Sequence, residues 1–129
     1  IIADIDYFKK LNDAYGHTAG DRALQQMSKI MKDSIRKSDI LARYGGEEFV
    51  IIMPSTDTAN ALKKAEVIRR HVESTNFKNI EEGKSLKMTI SIGIASFPEH
   101  DNKFNTIVDT ADNALYRAKK GGRNRVEGP

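Results

Sequence analysis

Four acidic residues stand where a chain could hold a hard cation. In "ADID", Asp4 and Asp6 flank Ile5 within an apolar, strand-like run. Alternation puts both carboxylates on one face, where they repel unless positive charge lies nearby. In "RYGGEEFVIIMP" (Arg43 to Pro54), Glu47 and Glu48 lead from two glycines into a run too apolar to stay in water. Mg2+ takes a few carboxylate or carbonyl oxygens and completes its octahedron with water and substrate phosphates. Asp4 and Glu47 on neighbouring strands would meet that need, and paired metals held this way serve phosphoryl or nucleotidyl transfer. Two unrelated solvated strand ends account for the same residues equally well.

The elements that must position these groups follow from periodicity. "IIADIDYF" opens as a strand, and Ala23, Leu24, Met27, Ile30 and Met31 space an amphipathic helix over about residues 20–36. Residues 39–44 and 47–53 read as two strands joined by Gly45-Gly46, a two-residue turn with positive φ at both glycines. That register sets Tyr44 against Glu47 and Arg43 against Glu48, and it sends Glu47 and Glu48 to opposite faces. Arg43 and Glu48 then form a cross-strand ion pair that braces the turn. Glu47 is left needing water or a cation.

After "STDT" a second helix carries Ala61, Leu62, Ala65, Ile68 and Val72 on one face. "NIEEGKS" reads as a polar turn, "LKMTISIGIASF" as a strand, and a last helix carrying Ala111, Ala114, Leu115 and Ala118 stops at Gly121-Gly122. The order β-α-β-β-α-β-α predicts an α+β fold, an α/β sandwich whose central, mainly antiparallel sheet is flanked by helices.

Further polar residues lie between these elements. Lys9 and Lys10 follow the acidic strand where backbone N–H groups would face an anion. Asn12 and Asp21 offer the amide and carboxylate needed to read a guanine edge, or else a turn and a helix cap. His17, between Gly16 and Thr18, reads as structural. The tail "YRAKKGGRNRV" carries five Arg or Lys in eleven residues, which suits either a solvated helix end or an anion site.

Composition narrows the classes. The 129 residues, 39% hydrophobic and 30% charged, amount to one soluble globular domain. No apolar run is long enough to span a membrane. The absence of cysteine excludes disulfides, thiolate zinc sites and cysteine nucleophiles, and agrees with a cytoplasmic location. A net charge of +3 is too mild to argue for nucleic acid, and a polymerase-like palm would want a strongly basic groove.

Together, "DIDYFKKLNDAYGHTAGD" (Asp4 to Asp21), "RKSD" (Arg36 to Asp39), "RYGGEEF" (Arg43 to Phe49), "MTISIGIA" (Met88 to Ala95) and "ADNALYRAKKGGRNRV" (Ala111 to Val126) resemble, in order, the signatures of GGDEF-domain diguanylate cyclases. Glu47 stands where the family name has Asp. The resemblance implies a nucleotidyl-cyclase or polymerase-palm-like fold, and a homodimer that condenses two GTP into cyclic di-GMP with release of pyrophosphate. It implies Mg2+, two per site with Mn2+ as a substitute, held by Asp4, the Ile5 carbonyl and Glu47. Glu47 and Lys9 would be catalytic, Glu47 helping to deprotonate the attacking hydroxyl and Lys9 stabilising transition-state charge.

Substrate would be met by Phe8, Lys9, Asn12, His17, Asp21, Gly45, Gly46, Lys119 and Arg123. Asn12 and Asp21 would read the guanine, Gly45 and Gly46 would clear space, and Lys119 and Arg123 would hold the triphosphate. Arg36 and Asp39 resemble the product-inhibition site, although the helix position that often carries a supporting arginine is Val67. The family's helix before the first strand is missing from the sequence, so the resemblance implies a single domain over residues 1–129 that is truncated at its N-terminus. A sensor or membrane anchor is expected upstream. A non-catalytic receptor for GTP or cyclic di-GMP is the alternative.

Overall fold

A computed structural model describes residues 1–100 and 103–129. Strand β1 (Ile2–Ile5) is followed by two helices, α1 (Phe8–Tyr15) and α2 (His17–Asp33). The hairpin strands β2 (Ile40–Arg43) and β3 (Glu48–Ile52) precede α3 (Thr58–Ser74). Then come β4 (Phe77–Glu81), β5 (Lys84–Leu86), β6 (Ile90–Gly93), α4 (Phe104–Lys120) and β7 (Val126–Glu127). The main sheet runs β2-β3-β1-β6-β7, antiparallel throughout except for the parallel β6–β7 pair. The expected sandwich of helices on a mainly antiparallel sheet is therefore present.

Alternation along β1 divides the core. Ala3 and Ile5 join Met27, Met31, Ile51, Ile68, Ile90 and Ile92 in the cluster beneath α2 and α3. Ile2 faces the other way and packs with Ala111 and Leu115 of α4. Asp4 and Asp6 share the parity of Ile2, so they lie on the α4 face. Gly93 lets α4 come close: a Cβ there would run into the Ala111 carbonyl and the Leu115 amide.

Four local expectations are corrected. The helix expected from residue 20 begins at His17, and residues 8–15 form a helix of their own. Gly16, at φ 84°, makes the turn between the two. "NIEEGKS" is the β4–β5 hairpin rather than a plain turn, held to α2 where Gln26 and Lys78 exchange hydrogen bonds. The tail also adds β7, too short to announce itself by alternation.

The fourth correction concerns the glycine hairpin. Arg43 pairs with Phe49 and Ala42 with Val50, one residue off the expected register. Tyr44 N–H and Gly45 N–H both donate to the Glu48 carbonyl, which closes a three-residue loop of Gly45, Gly46 and Glu47. Neither glycine has positive φ. The one-residue slip puts Arg43 and Glu48 on opposite faces, so the expected brace does not form. Instead the Arg43 guanidinium donates to the Gly45 and Gly46 carbonyls.

Candidate active site

The register that undoes the Arg43–Glu48 pair builds a different one. Asp4 of β1 lies directly across from Glu48 of β3. Glu47 sits in the loop just before β3, its carbonyl accepting from Ile5 N–H at 3.2 Å. A loop residue escapes strand alternation, so both glutamates act on Asp4 rather than one from each face. Lys119, in the last turn of α4, places its ammonium 2.9 Å from Asp4 Oδ2.

Asp4 is 5% exposed. Its carboxyl is pushed up to about 6, chiefly by burial, against the pull of the Lys119 ammonium and with a further push from Glu47 and Glu48. Such a carboxylate is short of positive charge. Among the described residues no three acidic or imidazole side chains converge as a ready metal cage. Mg2+ does not require one, because it binds through one or two carboxylates with substrate phosphates and water. A buried, electron-rich Asp4 beside two further carboxylates fits that ion.

Phe8 and Lys9 open α1 immediately after β1; Phe8 is buried and Lys9 exposed. Helices α1 and α2 fold back on each other about Gly16 and bring Asn12 against Gly20, where a Cβ would collide with Asn12 Oδ1. That oxygen is buried and has no hydrogen-bond partner. Asp21, next in sequence, is exposed and lines an open groove of about 630 Å³ shared with Leu24, Arg43 and Phe49. Both residues lie within helices, so the alternatives of turn and cap are excluded. His17 is exposed in the first turn of α2. A Cβ on Gly45 would come 2.8 Å from Glu48 Oε2, whereas one on Gly46 would meet open space.

Arg123 follows α4 with its guanidinium 4.6 Å from the centroid of the Tyr7 ring. Lys10 lies 4.8 Å from the same ring. Arg36 and Asp39 stand apart, at the end of β2 away from the glycine loop. There Asp39 accepts from Arg36 N–H at 2.9 Å, and its second oxygen is buried without a partner. Val67 is exposed on α3. Lys64 of α3 reaches the chain just before this turn, donating to the Ser34 carbonyl at 3.2 Å.

Three residues take parts that the sequence did not assign to them: Glu48 was expected to brace Arg43, Asp6 was read only as a carboxylate sharing the face of Asp4, and Tyr7 was given no part. Glu48 was hidden by the register slip; a three-residue loop in place of the two-residue turn would have exposed it. Tyr7, with φ 57°, turns the chain from β1 into α1. Asp6 is buried and accepts from Thr89 Oγ1 and Ser91 Oγ, both at 2.7 Å. Its signal was the hydroxyls of "MTIS" at period two.

Comparisons with known proteins identify the family. The profile of the family described as "Diguanylate cyclase, GGDEF domain" matches residues 1–125. Diguanylate cyclase A of Treponema denticola is 44% identical over 98% of the chain, and the chain spans 33% of that protein's length. The GGDEF domain of DgcB from Caulobacter crescentus in complex with c-di-GMP superposes with TM-score 0.88 at 33% identity, over 98% of this chain and 74% of that one. The active GGEEF domain of a diguanylate cyclase from Vibrio cholerae gives 0.87 at 34% identity, over 98% and 79%. Matched by that profile over residues 1–125, the chain belongs to the diguanylate cyclase GGDEF-domain family.

Proposed function

We propose that this chain is the catalytic domain of a diguanylate cyclase that condenses two GTP into cyclic di-GMP. The observation that carries the proposal is the burial of Asp4 among Glu47, Glu48 and Lys119. A domain that only bound nucleotide would have no need to bury a carboxylate that two neighbouring acidic residues also disfavour. The Vibrio relative is called active and carries the name GGEEF, which here is the run from Gly45 to Phe49.

Asp4, the Ile5 carbonyl and Glu47, with Glu48 beside them, would hold Mg2+. When bound, the ion supplies positive charge to phosphate oxygens. Asn12 and Asp21 orient the guanine, and Lys119 and Arg123 hold the triphosphate. Glu47 takes the proton of the 3′-hydroxyl as that oxygen bonds to the α-phosphorus of the second GTP. The bond from that phosphorus to pyrophosphate breaks, and Lys9 stabilises the charge that develops. Two such steps close a two-fold symmetric ring, so the working unit is a homodimer with its sites face to face. The Arg36–Asp39 turn takes the product as an inhibitor, the exposed Arg36 guanidinium suiting its phosphate or guanine edge.

The test is full-length protein with GTP and Mg2+, the products identified by mass. Glu47→Gln in a forced dimer should lose about 100-fold or more of turnover while melting normally. Unchanged turnover would remove Glu47 from the reaction. Binding of GTP or cyclic di-GMP without turnover in wild-type protein would make the domain a receptor.

A further inference from the structure

The segment that carries Arg123 is held in a conformation it would not choose. Gly122, Arg123 and Asn124 have φ of 114°, 64° and 45°, three successive residues in the left-handed region. Glycine accepts this freely and asparagine tolerates it, but arginine does not favour it. Such backbone persists only where its surroundings over-determine it.

The surroundings converge on Asn124. Its N–H donates to Asp6 Oδ2 at 3.0 Å, and Asp6 is fixed in turn by Thr89 and Ser91. The Asn124 side-chain oxygen accepts from Arg69 Nη1 at 2.7 Å, and its side-chain amide donates to Glu73 Oε1 at 2.7 Å. Arg69 is locked itself: Nε and Nη2 form a bidentate pair with Glu66, both bonds at 2.8 Å, while Nη1 also reaches Glu73 at 2.9 Å. Asn124 is thus tied to the acidic strand through its backbone and to α3 through its side chain. One residue earlier, Arg123 N–H closes on the Ala118 carbonyl at 3.0 Å, and the guanidinium lies over Tyr7.

Arg69 bonds neither Arg123 nor the carboxylates of the site. Its bonds to Glu66, Glu73 and Asn124 occupy four of the five guanidinium N–H donors, and the side chain is largely buried, so a ligand role is not what this geometry provides. On the reading of Arg123 as a triphosphate ligand, we propose that Asp6, Asn124 and Arg69 are positioning residues. They hold the left-handed loop so that Arg123 meets the phosphate end of GTP without having to be ordered on binding. A preorganised cation saves the ordering cost that a mobile arginine would take from the affinity, and small misplacement of a positioning group is felt strongly in the rate.

The test compares GTP with GMP, which lacks the terminal phosphates, in the full-length protein. KM for GTP and the competitive inhibition constant of GMP are measured for wild type, Asn124→Gly, Arg69→Met and Arg123→Ala, with melting temperatures alongside. Asn124→Gly keeps the N–H to Asp6 and suits left-handed φ, so it removes the link to α3 without straining the loop. Both positioning variants should raise KM for GTP about tenfold and leave GMP inhibition within about twofold. General destabilisation would move both nucleotides together. If Arg123→Ala lowers the preference for GTP over GMP while Asn124→Gly leaves it at the wild-type value, the positioning role is overturned. If Arg123→Ala itself leaves that preference unchanged, the triphosphate reading of Arg123 fails, and the positioning role with it. Should Arg69→Met fail to fold, Asn124→Gly decides alone.

Discussion

Asp4 concentrates the conflict between stability and function in one side chain. Its carboxyl, ordinarily near 3.8, is pushed up to about 6, chiefly by burial. A raised folded-state pKa means that the stability associated with this group is fully present below about pH 4. That contribution is lost as the pH rises through about 6, when an ionised Asp4 must stay buried. In chelator, Asp4→Asn should therefore be more stable than wild type at pH 7.5, by about 1–3 kcal/mol, and nearly equal to it at pH 3.5. Urea unfolding at the two values measures the difference, and a variant that is less stable at pH 7.5 would contradict it. The same substitution should abolish cyclic di-GMP synthesis.

Two close packings decide how the elements hold the site. In the glycine hairpin, Gly46→Ala should fold as wild type, within about 0.5 kcal/mol, because its Cβ meets open space; any loss of turnover then reports crowding of the nucleotide. Gly45→Ala should instead displace the Glu48 carboxylate, so turnover falls through that shift. Deeper in the molecule, Gly93→Ala should cost about 3 kcal/mol or more in urea unfolding, because its Cβ meets the backbone of α4. The main elements were legible in the sequence for physical reasons. The apolar spacing of Ala23, Met27 and Met31, and of Ala111, Leu115 and Ala118, matches a helix buried on one side. Asp4 and Asp6 could be assigned to one face of a strand before any pairing was known. Strand partners could not be read so closely, because a two-residue and a three-residue loop both suit "GGE". That ambiguity hid Glu48, and the contact of Arg69 with Asn124, 55 positions apart, leaves no local trace in either segment.

At the scale of the whole molecule, the proposed chemistry needs two copies. Each chain would present one GTP, and neither substrate can close the product ring alone. Turnover per chain should rise with protein concentration until the dimer saturates, and a fused dimeric coiled coil should remove that dependence. Flat specific activity in a protein shown to be monomeric by light scattering would refute the shared site. No described helix is long and apolar enough to cross a membrane. The β4–β5 hairpin has a separate use. It forms its own two-stranded sheet outside the main one and turns at Glu82 and Gly83, both exposed. An exposed tip of this kind tolerates grafted sequence. A fluorescent reporter carried there would ride on α2 through Gln26 and Lys78, following the motions of that helix while leaving the carboxylates untouched.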